Sequence, residues 1–245
     1  MRYLGLDLAW GGTTGSGCCV LDADGTLLDE AWLPADALGP WLAERRGARS
    51  LLAIDAPLVV PDDGRVVRDA ERALHRRYGR LHAGPFPGGS GSTGAARLKA
   101  AIATLPETDP DPWSVGPHRA LEVFPAPTWI ELFGLSERIR YKPLRGQAQV
   151  TELARLLDLL DRLADRDPPL RVGRDHDLRA RLAQARGTRQ RKQVEDLVDA
   201  RLCAYVGLAW DRAGRPDAWV VRGTGAWSDG CVIVPAPLPS TIDRP

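Results

Sequence analysis

The chain is poor in the features that mark most specialised classes of protein. Its four cysteines are Cys18, Cys19, Cys203 and Cys231, and no two have C-x-x-C spacing. The usual zinc arrangement is therefore missing. Cys18 and Cys19 are adjacent and alternate across a strand, so they build no disulfide framework. A reducing, cytoplasmic compartment is expected. No apolar run is long enough to span a membrane, so no membrane partner is expected. Met1 leads directly into a strand, without the basic, apolar and cleavage regions of a secretory signal. Net charge is nearly absent, with 33 basic against 32 acidic residues and a balance of +1. Any basic surface must then be a local patch. There is no internal repeat, and no low-complexity segment beyond one Gly/Ser loop.

What is present is material for a core. The 245 residues are 44% hydrophobic, which suits one large domain. The 20 prolines and 25 glycines predict many turns and long connections.

The first ten residues organise the rest. Tyr3, Leu4, Leu6 and Leu8 form an apolar run that reads as a strand buried on both faces. Asp7 lies inside it. A carboxylate there needs a cation or strong donors, because burying it unpaired is costly. The glycine-rich stretch from Gly11 to Gly17 lets the chain reverse and leaves room beside Asp7. The competing reading is an Asp that caps a turn.

Ser16 to Leu21 and Thr26 to Leu33 are two further strands around an Asp24-Gly25 turn. Leu38, Trp41 and Leu42 mark a crossover helix, and Ser50 to Asp55 a fourth strand. A helix in that place favours parallel pairing of the fourth strand with the first. Asp55 then sits at a strand's carboxyl end, where open α/β sheets bind ligands. Asp7 and Asp55 come within reach of one shared cation.

Residues 59–116 read as a long inserted lid. Within it, Arg65, Arg68, Arg72 and Arg76 follow helical spacing and suit phosphate binding, unless they form a solvated face. His118 to Phe124 is the next strand and carries Glu122, a third acid in apolar surroundings. Val150 to Ala164 is an amphipathic helix, and Gln193 to Arg212 is a longer one. Asp196 and Asp199, three apart, emerge on the same side of the longer helix. They equally suit its N-terminal dipole. Residues 218–234 read as a C-terminal hairpin.

Acids on a first strand, a fourth strand, a fifth strand and a last long helix can supply hard oxygen ligands to divalent cations. Metals paired about 3.5–4 Å apart activate water and stabilise the leaving oxygen of a phosphodiester. The ordered set resembles a family of predicted nucleases with ribonuclease H-like fold, domain of unknown function 429. The resembling pieces are Gly5–Trp10, Ala53–Leu58, Arg68–Arg72, Glu122–Ala126, Tyr141–Lys142 and Glu195–Ala200. Ala70 stands where the family has a cysteine or small residue. The Asp-x-x-Asp helix also looks like that of Holliday-junction resolvases.

The resemblance implies an α/β chain of one domain, residues 1–245, with a central mixed sheet, flanking helices and the inserted lid. It implies a metal-dependent nuclease acting on DNA or RNA. Asp7, Asp55, Asp196 and Asp199 would hold Mg²⁺ or Mn²⁺, and Glu122 would join them or stand behind them. Arg68, Arg72 and Lys142 would contact phosphate. Two rivals are carried: an ATP-dependent phosphotransferase of the actin and sugar-kinase type, and a catalytically idle nucleic-acid-binding module. The first normally needs a second copy of the opening pattern, which the sequence lacks.

Overall fold

The computed structural model describes residues 1–10, 15–173, 176–223 and 226–235. Most of the glycine-rich reversal expected after Asp7 (residues 11–14) lies outside them, as does the tail from residue 236.

A five-stranded sheet forms the centre, with order β3-β2-β1-β4-β5. Its strands are β1 (Arg2–Asp7), β2 (Ser16–Leu21), β3 (Leu27–Leu33), β4 (Ser50–Asp55) and β5 (His118–Glu122). β1, β2 and β3 run antiparallel in succession, while β4 pairs parallel with both β1 and β5. The sheet is therefore mixed, as expected. The crossover from β3 to β4 is made by α1 (Ala35–Arg45).

Strand alternation sorts the apolar residues into two cores. Leu4, Leu6, Leu52 and Ile54 face α1 and α3 (Ala95–Ala103), through Leu38, Leu42 and Leu98. Tyr3, Cys19, Leu51, Ala53 and Leu121 face the other way. They meet α5 (Gly146–Asp161), α6 (Leu178–Gln184) and α7 (Thr188–Arg212). Every residue of α7 from Val194 to Trp210 is buried, and its second half, Leu202 to Trp210, is apolar on every side. Among the described residues, no helix is long and apolar enough to cross a membrane.

Residues 59–116, expected as a lid, are built into the body. Their first helix, α2 (Asp69–Tyr78), buries Ala70, Leu74 and Tyr78 against Val221, Val232 and Val234. Val221 and Val232 belong to the C-terminal hairpin, β6 (Val220–Arg222) and β7 (Cys231–Ile233), and Val234 follows it. The apolar set that anchors α2 is thus supplied from 150 residues downstream, which local patterning does not reveal. Between β5 and α5 lies α4 (Pro125–Phe133). It starts with proline and stops at Gly134, which has a φ of 62°.

Candidate active site

Asp7 and Asp55 are register partners at the carboxyl ends of the parallel strands β1 and β4. Alternation turns both to the sheet face covered by α7, the face that also holds Tyr3, Leu51 and Ala53. α7 then brings Asp196 and Asp199 over them. Its approach depends on two glycines. A Cβ at Gly5 would stand 1.9 Å from the Ala200 carbonyl oxygen, and one at Gly17 would stand 2.2 Å from that of Asp196. Only glycine lets the helix lie this close to β1 and β2.

The four aspartates differ in how they are neutralised. Both oxygens of Asp199, which is fully buried, accept from the Tyr141 hydroxyl, at 3.1 and 2.9 Å. The Lys142 ammonium is 3.2 Å from Asp199 Oδ2. Asp196 accepts from Trp32 Nε1 at 2.9 Å and pairs with Lys192, which also reaches Glu195 at 3.0 Å. By contrast, Asp7 Oδ2 is buried with no hydrogen-bond partner among the described residues.

The electrostatics follow from this crowding. Burial, then Asp196 and Asp55, hold the Asp7 carboxyl well above the usual carboxylate range. Burial pushes Asp55 up to about 7, with Asp199 and Glu122 adding to it against Lys142 and Lys192. Burial works to lower the Lys142 pKa, but Tyr141, Asp199, Asp7 and Asp55 outweigh it and keep the ammonium charged. The Lys142 side chain is 47% exposed even though its ammonium sits against the buried Asp199.

Glu122 and the arginines are placed differently from expectation. Glu122 pairs in register with Ile54, which puts it on the sheet face opposite Asp7 and Asp55. There it receives Arg68 Nη1 and Nη2 at 2.8 and 2.5 Å, and the Leu58 N–H at 3.0 Å. Arg68 Nε binds Glu71 at 2.8 Å, and the Glu71 carboxylate accepts from the Arg68 backbone N–H at 3.0 Å. Arg68 is therefore buried and saturated by carboxylates, and Glu122 is its partner. Arg72 points outward and pairs with Asp69. The expected shared face of Arg65, Arg68, Arg72 and Arg76 does not form, because α2 begins only at Asp69 and Arg68 is its N-cap. Lys142 alone of the expected cations faces the aspartates.

Among the described residues, no group of three or more His, Cys, Asp or Glu side chains stands arranged to hold a metal ion. The Lys142 and Lys192 ammonium groups sit among the acids instead. The donor chemistry nevertheless fits a hard divalent cation: carboxylate oxygens only, one of them an orphaned buried atom.

The family described as Protein of unknown function (DUF429) matches residues 5–220. The chain belongs to this family. No curated protein and no solved structure matches it. The span shared with the DUF429 family takes in all five acids, Lys142 and the whole of α7, and leaves out β7.

Three residues of this DUF429 site were not anticipated. Lys192 carried a signal, since it stands three and four residues before Glu195 and Asp196 on one helix. Tyr141 sat in a quoted motif without a role. Trp32, on β3, reaches Asp196 across 164 residues of sequence and left no local trace.

Proposed function

We propose that the protein is a cytoplasmic, metal-dependent nuclease of ribonuclease H-like fold that hydrolyses phosphodiester bonds in nucleic acid. The observation that carries this is the register pairing of Asp7 with Asp55 beneath Asp196 and Asp199 of α7. Acidic side chains from two strands and one helix, crowded at the carboxyl end of a parallel pair, cost stability that a bound cation would recover. The strand order β3-β2-β1-β4-β5, with only the first three strands antiparallel in succession, supports the ribonuclease H-like reading.

In this reading Asp7, Asp55, Asp196 and Asp199 would hold Mg²⁺ or Mn²⁺. The bound metal supplies Lewis-acid activation of water and stabilises the leaving oxygen. The chain's own residues do the remaining work. Tyr141 and Trp32 fix the carboxylate planes of Asp199 and Asp196 by donating to them. Lys142, whose side chain is partly exposed, turns from Asp199 toward a substrate phosphate as charge is replaced. Arg68, held by Glu122 and Glu71, braces the segment between β4 and α2 and lines the cavity beside the aspartates. Glu122 is thus a positioning residue.

The test is an assay of single-stranded, duplex and branched substrates with Mg²⁺, Mn²⁺ or chelator, with ATP turnover measured in parallel. Metal-dependent cleavage without ATP turnover is the expected result. ATP turnover alone would return the phosphotransferase reading.

A further inference from the structure

A cavity of about 230 Å³ opens beside the aspartates. Asp7, Asp55 and Lys142 line it, and so do the aromatic side chains of Trp10, Phe86, Phe124 and Trp129. Its size is below the roughly 300–1,000 Å³ of pockets that take drug-sized ligands, and suits a single planar ring system. Two donors on its lining residues have no partner among the described residues: the indole N–H of Trp129 and the Nε–H of Arg138. Trp129 is only 2% exposed. A buried donor left without an acceptor is costly, but both nitrogens are closed off from the cavity, so the aromatic faces carry its chemistry. Trp129 is held in place by stacking on Phe133, with ring centroids 5.9 Å apart. Phe86 has the opposite character. It is 83% exposed, an unusual state for so large an apolar ring beside a cavity.

We infer that this cavity receives one unpaired nucleobase of the substrate, so that the enzyme acts on single-stranded or extruded nucleotides rather than on intact duplex. The inference rests on the nuclease reading of the adjacent acids and names its substrate class. Aromatic walls take the two faces of the base, a contact open to every base because each has a π-face. Phe86 at the rim stacks on the neighbouring base. Because Asp7, Asp55 and Lys142 line the same cavity, a base seated there brings its own phosphodiester to the acids. A base inside a duplex has neither face free and must first leave the stack.

The experiment compares binding of a labelled single-stranded oligonucleotide with that of an abasic strand of equal length and charge. Both are followed by fluorescence anisotropy in Ca²⁺, and cleavage of both in Mn²⁺ is measured in parallel. The intact strand should bind about tenfold tighter than the abasic one. Phe86→Ala changes an exposed residue, so its fold is secure. It should weaken binding of the intact strand several-fold and leave the abasic strand unchanged. Trp10→Ala, with its melting temperature checked against the parent, should do the same through the lost aromatic wall. Equal affinity for intact and abasic strands, or an equal loss for both in Phe86→Ala, would overturn the base pocket. Equal Mn²⁺-dependent cleavage of both strands would also remove the pocket while leaving the nuclease reading in place. Base-dependent binding without any cleavage would keep the pocket and remove the nuclease.

Discussion

Arg68 grips Glu122 with both terminal nitrogens, and both residues are buried. The pair joins the start of α2 to the end of β5, and it couples Arg68, expected at the substrate phosphate, to Glu122, expected with or behind the metal ligands. Arg68→Ala would leave Glu122 and Glu71 buried without their cation. Losing one member of a buried pair typically costs about 3–5 kcal/mol. Arg72, 43% exposed on the same helix, belongs with surface pairs worth about 0–1 kcal/mol. Urea denaturation should therefore show a large loss for Arg68→Ala and almost none for Arg72→Ala. Parental stability in Arg68→Ala, combined with weaker nucleic-acid binding, would restore Arg68 as a phosphate contact.

The unpartnered Asp7 carboxylate makes a prediction about metal. Mn²⁺ or Mg²⁺ should raise the melting temperature. A cation that binds only the native state contributes about 2.7 kcal/mol at a hundredfold excess over its dissociation constant. Asp7→Asn should lose most of this shift without losing metal-free stability, since it also removes repulsion. Asp22→Asn, changed in the β2–β3 turn where Asp22 accepts from the Asp24 and Thr26 N–H groups, should keep the shift. An equal loss in both variants would show that the acids form no metal site.

Asp55 makes a prediction about pH. Its carboxyl titrates near 7 in the folded protein, against an ordinary value of 3.8. Between those values the native state holds a proton that the unfolded chain releases. Metal-free stability should thus fall as pH rises from about 4 to about 7, with the loss complete above that window. Asp7 acts in the same direction. Asp55→Asn should flatten part of this slope in chelator. A slope identical to the parent's would mean that Asp55 is not a proton-holding group of the native state.

The two close approaches of α7 supply a structural test. Gly17→Ala places a methyl group against the Asp196 backbone. Overpacking of this kind typically costs about 1–3 kcal/mol. The displaced helix should also carry Asp196 away from Asp7, so the Mn²⁺-induced melting shift should shrink as well. A variant with lower stability but an undiminished metal shift would separate the helix packing from the site.

The legible and illegible parts of this site divide along a physical line. Asp7, Asp55, Asp196 and Asp199 could be read because a carboxylate in an apolar strand or helix breaks a strong local pattern. Parallel pairing of β1 with β4 followed from one intervening helix. Glu122 broke the same pattern, but its role depends on strand alternation across the register with Ile54, and its partner lies 54 residues upstream. The basic helix misled for a related reason. Arg65 and Arg68 keep the helical spacing but precede the helix, and Arg68 is an N-cap turned inward. Residues 59–116 read as a lid because the packing partners of α2 lie far downstream, in and beside the C-terminal hairpin. Trp32 and the two close-approach glycines are visible only once α7 has been laid on the sheet.

The central claim is that the carboxylates gathered by β1, β4 and α7 bind metal to cut nucleic acid. The most direct measurement is cleavage of a labelled single-stranded oligonucleotide by the parent and by Asp199→Asn, each with Mn²⁺ and with chelator. Both proteins must first be shown to be folded by melting. The account predicts cleavage by the parent in Mn²⁺, none in chelator, and a fall of more than about 100-fold in Asp199→Asn, since even outer partners of metal ligands cost about 10–100-fold. Cleavage that survives chelation, or that Asp199→Asn leaves at the parental rate, would contradict it.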